Sequence, residues 1–217
     1  MWCKLPFMKK WILAIFLLLA SCDQHLPDRD NYLEFAGREA RGIPIYRLKK
    51  PDGWTAIVPI DREINDTTKP ICELLMIDVA GQIRITIHNF PAENQEERIP
   101  PQSQLGRWKK QFKEIDHLSE KSAPQSFSGY YGVIFEASGM MKGKEMFMMA
   151  WALQMANEHF LAISTLMNAE PENNSLRQLR SDITIKAVGP KNLLEKYRDE
   201  IMQIARSFEM IQAIPYL

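Results

Sequence analysis

The chain has 217 residues, 46% of them hydrophobic and 25% charged. That allows one domain with a sizeable core, or two small ones, and excludes disorder throughout. Basic and acidic residues number 27 each, but residues 1–21 hold Lys4, Lys9 and Lys10 and no acid, so the remainder has 24 basic and 27 acidic side chains; this net of −3 excludes the footprint of a nucleic-acid binder.

The first predicted element is an export signal over residues 1–21. Lys9 and Lys10 supply its positive start, and Met8 fits as the first residue as well as Met1 does. Trp11 to Ala20 is an unbroken apolar run of ten residues, too short for a membrane span of about 20 and suited to a signal core. It ends in Leu19-Ala20-Ser21-Cys22, which resembles the bacterial lipobox. The resemblance implies cleavage before Cys22 and a covalent lipid on its thiol, the only cofactor-like group expected. It places the protein in the bacterial cell envelope, lipid-anchored and extracytoplasmic, on the periplasmic side. Asp23 follows Cys22, a position that in some enteric bacteria retains lipoproteins in the inner membrane; the choice of membrane stays open. Residues 22–31 are polar, contain a proline and read as a lipidated tether. Residues 32–217 read as a single globular domain.

Within that domain Ile43 to Leu48 predicts a strand, Lys50-Pro51-Asp52-Gly53 a turn, and Trp54 to Val58 a second strand completing a hairpin. Ile71 to Val79 is a fuller apolar run holding Cys72, which has no partner cysteine after the signal leaves. Cys72 reads as a small buried hydrophobe, with a reactive or intermolecular thiol as the alternative. After Ala80-Gly81-Gln82, Ile83, Ile85 and Ile87 alternate with Arg84, Thr86 and His88, the period of a half-buried strand. The acidic stretch Glu93 to Glu97 reads as a solvated loop. Pro100-Pro101 opens a helix carrying Leu105, Trp108, Phe112 and Ile115 on one face, with Lys109, Lys110 and Lys113 mostly opposite. Further strands are predicted over Phe127–Ala137, Glu145–Met155 and His159–Met167, and a short one over Ile183, Ile185 and Ala187. Gly189-Pro190 starts a long closing helix whose stripe runs Leu193, Leu194, Tyr197, Ile201, Ile204, Ala205 and Phe208. Strands interrupted by one helix and closed by another argue for an α+β fold, an antiparallel β-sheet flanked by helices.

Tyr46 through Trp54 reads Tyr-Arg-Leu-Lys-Lys-Pro-Asp-Gly-Trp; Trp108, Gly129 and Gly132, Trp151, Phe160 to Thr165 and Ser207-Phe208 follow. In that order of elements the chain resembles the PsbP/Mog-type domains, which include DcrB-like bacterial lipoproteins, over about residues 43–211. The resemblance implies an α-β-α sandwich and a role in binding or assisting assembly rather than catalysis. The stretch at 183–188 departs from that pattern, and no functional residue of the family carries over.

No nucleophile elbow, zinc-protease helix, phosphate loop, dinucleotide fingerprint or paired-cysteine motif occurs. His25, His88, His117 and His159 are scattered, with no second ligand at metal spacing. Neither an enzyme nor a metal site is therefore expected. Met140, Met141, Met146, Met148, Met149 and Met155 crowd one hairpin. As a strand, Phe147, Met149, Trp151, Leu153 and Met155 share one face and Met146 and Met148 the other. Core packing on both faces is the leading reading; a partner or lipid surface and Cu(I) binding are the alternatives. Met146, Met148, Lys109, Lys110 and Lys113 form the candidate partner surface, the lysines reading either as contacts to anionic headgroups or as a solvated helix face. The function expected is a non-enzymatic, membrane-anchored binding or assembly module with an envelope protein partner, besides membrane lipid through the anchor and without nucleic acid. The alternative is a carrier or binder of a lipid or other apolar ligand.

Overall fold

Strict alternation of apolar and polar residues puts one side of a strand in a core and the other outside it. The computed structural model describes residues 31–38, 43–59, 63, 66–169 and 174–211. The predicted signal, Leu19, Ala20, Ser21, Cys22 and the tether up to residue 30 lie outside the described residues. Tyr32–Leu217 forms one compact unit.

Eleven strands are described. Eight make one antiparallel sheet: β3 (Thr55–Ile57), β4 (Cys72–Asp78), β5 (Gly81–Pro91), β10 (Ser181–Pro190), β9 (Lys144–Met155) and β8 (Tyr130–Met141) in that spatial order, with β6 (Glu114–Ile115) and β7 (Lys121–Phe127) both paired to β8. The other three, β1 (Tyr32–Phe35), β2 (Tyr46–Lys49) and β11 (Glu209–Met210), form a small antiparallel sheet. Five helices accompany them: α1 (Pro101–Lys109), α2 (Asn157–Ala169), α3 (Asn174–Leu179), α4 (Lys191–Lys196) and α5 (Arg198–Arg206).

The large sheet has a core on each face. On the first, Ile83, Ile85 and Ile87 of β5, Ile183, Ile185 and Ala187 of β10, and Met149, Trp151, Leu153 and Met155 of β9 meet α2, α4, α5 and the small sheet. Phe35, Tyr46, Tyr130 and Phe208 close this core as an aromatic cluster with centroids 5.3 to 6.5 Å apart. Gln178 joins the sheets: its side-chain oxygen accepts from Asn89 Nδ2 at 3.0 Å and from the Arg38 amide at 2.8 Å, and its carbonyl accepts from Tyr46 Oη at 2.8 Å. On the second face α1 sets Leu105 and Trp108 on Phe135, Ala137, Met148, Ala150 and Ala152, with Phe112 beside them. Helices on both faces make the α+β arrangement an α-β-α sandwich.

Two turns fix the register of the central hairpins. Ser128 and Gly129 between β7 and β8, and Lys142 and Gly143 between β8 and β9, all take positive φ, the geometry that matches strand twist in two-residue hairpins. Gly132 is required for another reason: a Cβ there would sit 1.9 Å from the Ala152 carbonyl oxygen across the ladder.

Several predicted elements change. The stretch at 159–167 is helical, as part of α2, because Phe160, Ile163 and Met167 recur three and four residues apart and pack on the first core. β3 pairs with β4, whereas β2 joins β1 and β11, so the expected 43–58 hairpin does not form. Gly129 lies in a turn rather than inside a strand. Helix α1 stops at Lys109; Phe112 follows in a turn and Ile115 in β6. The closing helix breaks at Tyr197, at φ −101° and ψ 14°. The stretch at 183–188 is the centre of the sheet, between β5 and β9.

Candidate functional site

The second face of the large sheet is only half covered. Helix α1 packs on the β8–β9 side, while β4, β5 and β10 carry Glu73, Arg84, Thr86 and Lys186 in the positions that alternate with their core residues. The register places Lys186 opposite Thr86 and Val188 opposite Arg84. A depression of about 480 Å3 opens there, lined by Arg84, Thr86, Gln111, Met141, Lys142, Lys144, Met146, Lys186 and Val188. Three of these side chains are apolar, four are cations, and no acidic side chain is among them. Arg84 is engaged from outside the depression by Glu73 at 3.2 Å. Lys186 donates to Gln111 Oε1 at 3.2 Å. Burial and then the charge of Lys142 hold the Lys186 ammonium below the ordinary lysine range. An anion arriving there would oppose both effects by favouring the charged ammonium.

The predicted partner surface divides here. Met148 is fully buried beneath α1, so it is corrected to a core residue that no partner can reach. Met146 is half-buried and lines the depression. Lys109 is held by Glu120 and lies 5.8 Å from the Phe135 ring centroid. Lys110 and Lys113 are exposed on either side of Gln111 in the chain. None of Arg84, Lys142, Lys144 and Lys186 belongs to the partner surface expected from the sequence. Lys142-Gly143-Lys144 was a visible signal, two cations around a turn glycine; the other two are single cations on polar strand faces, common in any sheet.

A second concavity lies on the other face, between the β7–β8 edge and helices α4 and α5. Two adjoining hollows of about 430 and 360 Å3 share Lys121, Glu136 and Arg198. The Glu136 carboxylate is 9% exposed and accepts two bonds of 2.7 Å from Arg198, whose guanidinium is held above its ordinary value by that contact. The pair closes the groove floor. Arg198→Ala should leave Glu136 inside without a cation and lower stability by about 1–2 kcal/mol, discounted because Arg198 is half-exposed; Glu136→Gln in the same background should recover part of the loss. Urea denaturation measures both, and an unchanged midpoint in Arg198→Ala would show the pair to be inert.

The histidines do not gather. His88 stacks on Phe90 and lies 3.2 Å from the Thr67 carbonyl, with burial pushing its pKa down to about 4. His117 is exposed and His159 half-buried. Among the described residues no three metal-ligating side chains cluster. Cys72 is buried in β4, among the core residues. Trp54 and Trp108 are core residues. Glu93 of the acidic loop pairs with Arg180 at 3.3 Å and with Arg177.

No family model matches the chain, and no curated protein matches it. Solved structures do. LpqN of Mycobacterium tuberculosis, described as involved in cell envelope biogenesis, superposes with a TM-score of 0.51 at 13% identity, over 84% of this chain and 93% of that one. Cyanobacterial PsbP (CyanoP) from Synechocystis sp. PCC 6803 matches at 0.44 and 8% identity, over 83% and 92%. A protein of unknown function from Pseudomonas aeruginosa matches at 0.41 and 10%, over 78% and 92%. At such identities likeness is a matter of fold, and the chain has a fold like that of LpqN.

Proposed function

We propose that this chain is a lipid-anchored, extracytoplasmic module of the bacterial cell envelope that binds or helps assemble other envelope components and catalyses no reaction itself. The observation that carries the reading is the depression on the half-covered sheet face, where Met141, Met146 and Val188 lie among Arg84, Lys142, Lys144 and Lys186. Such a surface recognises a partner by charge and shape. The lipobox pattern Leu19-Ala20-Ser21-Cys22 supports the anchor. No described helix is long and apolar enough to cross a membrane, so the reading leaves attachment to Cys22. The likeness to LpqN, described as involved in cell envelope biogenesis, supports the setting.

A carrier of an apolar ligand is not favoured by the space between α1 and the sheet. The hollow beside α1, lined by Ile99, Pro101, Gln104 and Leu153 among others, measures about 20 Å3, room for a water and not for an acyl chain.

Crosslinking in intact cells, followed by affinity purification from membranes and mass spectrometry, tests the proposal. The native chain should capture a defined envelope partner that Cys22→Ala loses. Capture unchanged in Cys22→Ala would remove the anchored module, and turnover by the purified protein that a point substitution abolishes would replace it with an enzyme.

A further inference from the structure

We propose that the basic depression is a membrane-docking face, which seats the phosphate-bearing headgroup of an anionic bilayer lipid while the β4–β5 hairpin tip enters the bilayer interface. The inference rests on the envelope reading above and names what this surface meets.

Topology brings the parts to one end of the sheet. The β4–β5 turn follows Asp78, which pairs with Gly81; the β8–β9 turn lies between Met141 and its partner Lys144; the last residue of β10, Pro190, pairs with Met146. Strand direction therefore places both turns and the C-terminal end of β10 at the same edge. The β4–β5 tip carries Ile77, 76% exposed, and Val79, fully exposed. Ile77 pairs with Gln82 and Leu75 with Arg84, so Ile77 lies on the same face of the sheet as Arg84, Thr86 and Lys186. Exposed apolar residues next to a concave cluster of cations form the amphipathic surface that binds an anionic interface, apolar groups entering and cations staying at headgroup depth.

Charge complementarity selects this occupant. Four cations line the depression and no carboxylate does. Glu73 pairs with Arg84 and offsets one of the four, leaving Lys142, Lys144 and Lys186 as the net positive charge, while Asp78 is engaged by Lys196 at 3.0 Å and Glu145 by Lys191 at 3.6 Å. A zwitterionic headgroup brings its phosphodiester together with a cation that the basic lining repels, whereas an anionic headgroup such as phosphatidylglycerol offers the phosphodiester alone as counter-ion to the half-buried Lys186 ammonium. The apolar part of the lining, Met141, Met146 and Val188, can meet the glycerol and upper acyl carbons beside the phosphate, which free phosphate lacks. Reach is sufficient: the ten residues from Cys22 to Asn31 can extend at most about 36 Å, so lipidation at Cys22 keeps the domain close to a bilayer.

The full chain in isotropic bicelles tests this. Bicelles of phosphatidylcholine alone are compared with bicelles containing phosphatidylglycerol, each with a lipid-borne nitroxide, and amide signals are read by NMR. With phosphatidylglycerol, the amides of Ile77, Val79 and Lys142 should broaden and that of Lys186 should shift; with phosphatidylcholine alone they should not. The double variant Lys142→Gln/Lys186→Gln should lose at least tenfold in response to the anionic lipid while keeping its spectral dispersion, and Lys142→Arg/Lys186→Arg should retain it. Ile77→Ser/Val79→Ser should reduce the broadening. Equal response to both bicelles, an unaffected glutamine variant, or inorganic phosphate reproducing the Lys186 shift in neutral bicelles would each overturn the docking face. The anchor is read separately, by incorporation of labelled palmitate into the native chain and Cys22→Ala: label undiminished in Cys22→Ala would fail the anchor reading while leaving the bicelle result standing, so the two are read apart.

Discussion

Arg98→Ala is expected to cost about 3–5 kcal/mol of stability, among the largest losses from one substitution in this chain. Arg98 and Asp182 face each other with side chains 4% and 7% exposed. Arg98 Nη2 donates to Asp182 Oδ1 at 2.7 Å and to the Met155 carbonyl at 2.5 Å, Nε lies 3.2 Å from both carboxylate oxygens, and Nη1 donates to Asn157 Oδ1 at 3.1 Å. The guanidinium also lies 4.8 Å from the Phe160 ring centroid, with Arg180 5.3 Å from the same ring. The network therefore ties the loop before α1 to β9, α2 and β10. Deleting Arg98 leaves Asp182 buried with no cation, supported by the Met155 amide at 3.0 Å and the neutral Gln154 side chain.

The pH dependence of that loss has a defined sign. Burial already holds the Asp182 carboxyl above the usual carboxylate range, against the lowering effect of Arg98. Without Arg98 it rises further. An acid whose folded pKa stands above its unfolded value, about 3.9 for aspartate, contributes stability present below the unfolded pKa and lost as pH rises through the folded one. The gap between wild type and Arg98→Ala should therefore be widest near neutral pH and narrow as pH falls towards 4. His88, with its pKa pushed down to about 4, lowers stability in acid in both proteins and cancels in the difference. Arg98→Ala/Asp182→Asn should recover a large part of the loss. Urea denaturation across pH 4–8 provides the measurement, and a gap that does not vary with pH would defeat the account.

Trp151→Ala should cost about 3–5 kcal/mol through the cavity it leaves. Trp151 is fully buried in β9, opposite Ile185 of β10 and Ile134 of β8. Its indole Nε1 has no hydrogen-bond partner among the described residues. Trp151→Phe removes that buried donor while keeping most of the ring, so it should cost clearly less, about 1–2 kcal/mol. Denaturation midpoints of the two variants decide the point: equal losses would mean that the indole nitrogen contributes as much as the ring.

Local pattern in this sequence was most informative where a strand has two unlike neighbours. Phe147, Met149, Trp151, Leu153 and Met155 alternate with Met146 and Met148, and the structure puts the first set in one core and Met148 in the other. The isoleucine alternation of β5, the Pro-Pro start of α1 and the stripe Ile201, Ile204, Ala205 and Phe208 were legible for the same reason: each depends only on residue period along one element. His159 to Met167 was not, because a short apolar run satisfies both strand and helix periods until a core on one side selects Phe160, Ile163 and Met167. Nor were the partners of β3 and the central place of β10, since a strand's own residues do not say which edge it meets.

The sequence by itself determined the α+β class and the two-faced character of β9. The basic face was decided only by tertiary structure. Arg84 and Lys186 are about a hundred residues apart in the chain; antiparallel pairing of β5 with β10 and the turn at Lys142-Gly143 gather them with Lys142 and Lys144 around one depression. The physical reason is that hydrophobic period is a local property, whereas a binding surface is a sum over strands whose order is set by which apolar faces can be buried together.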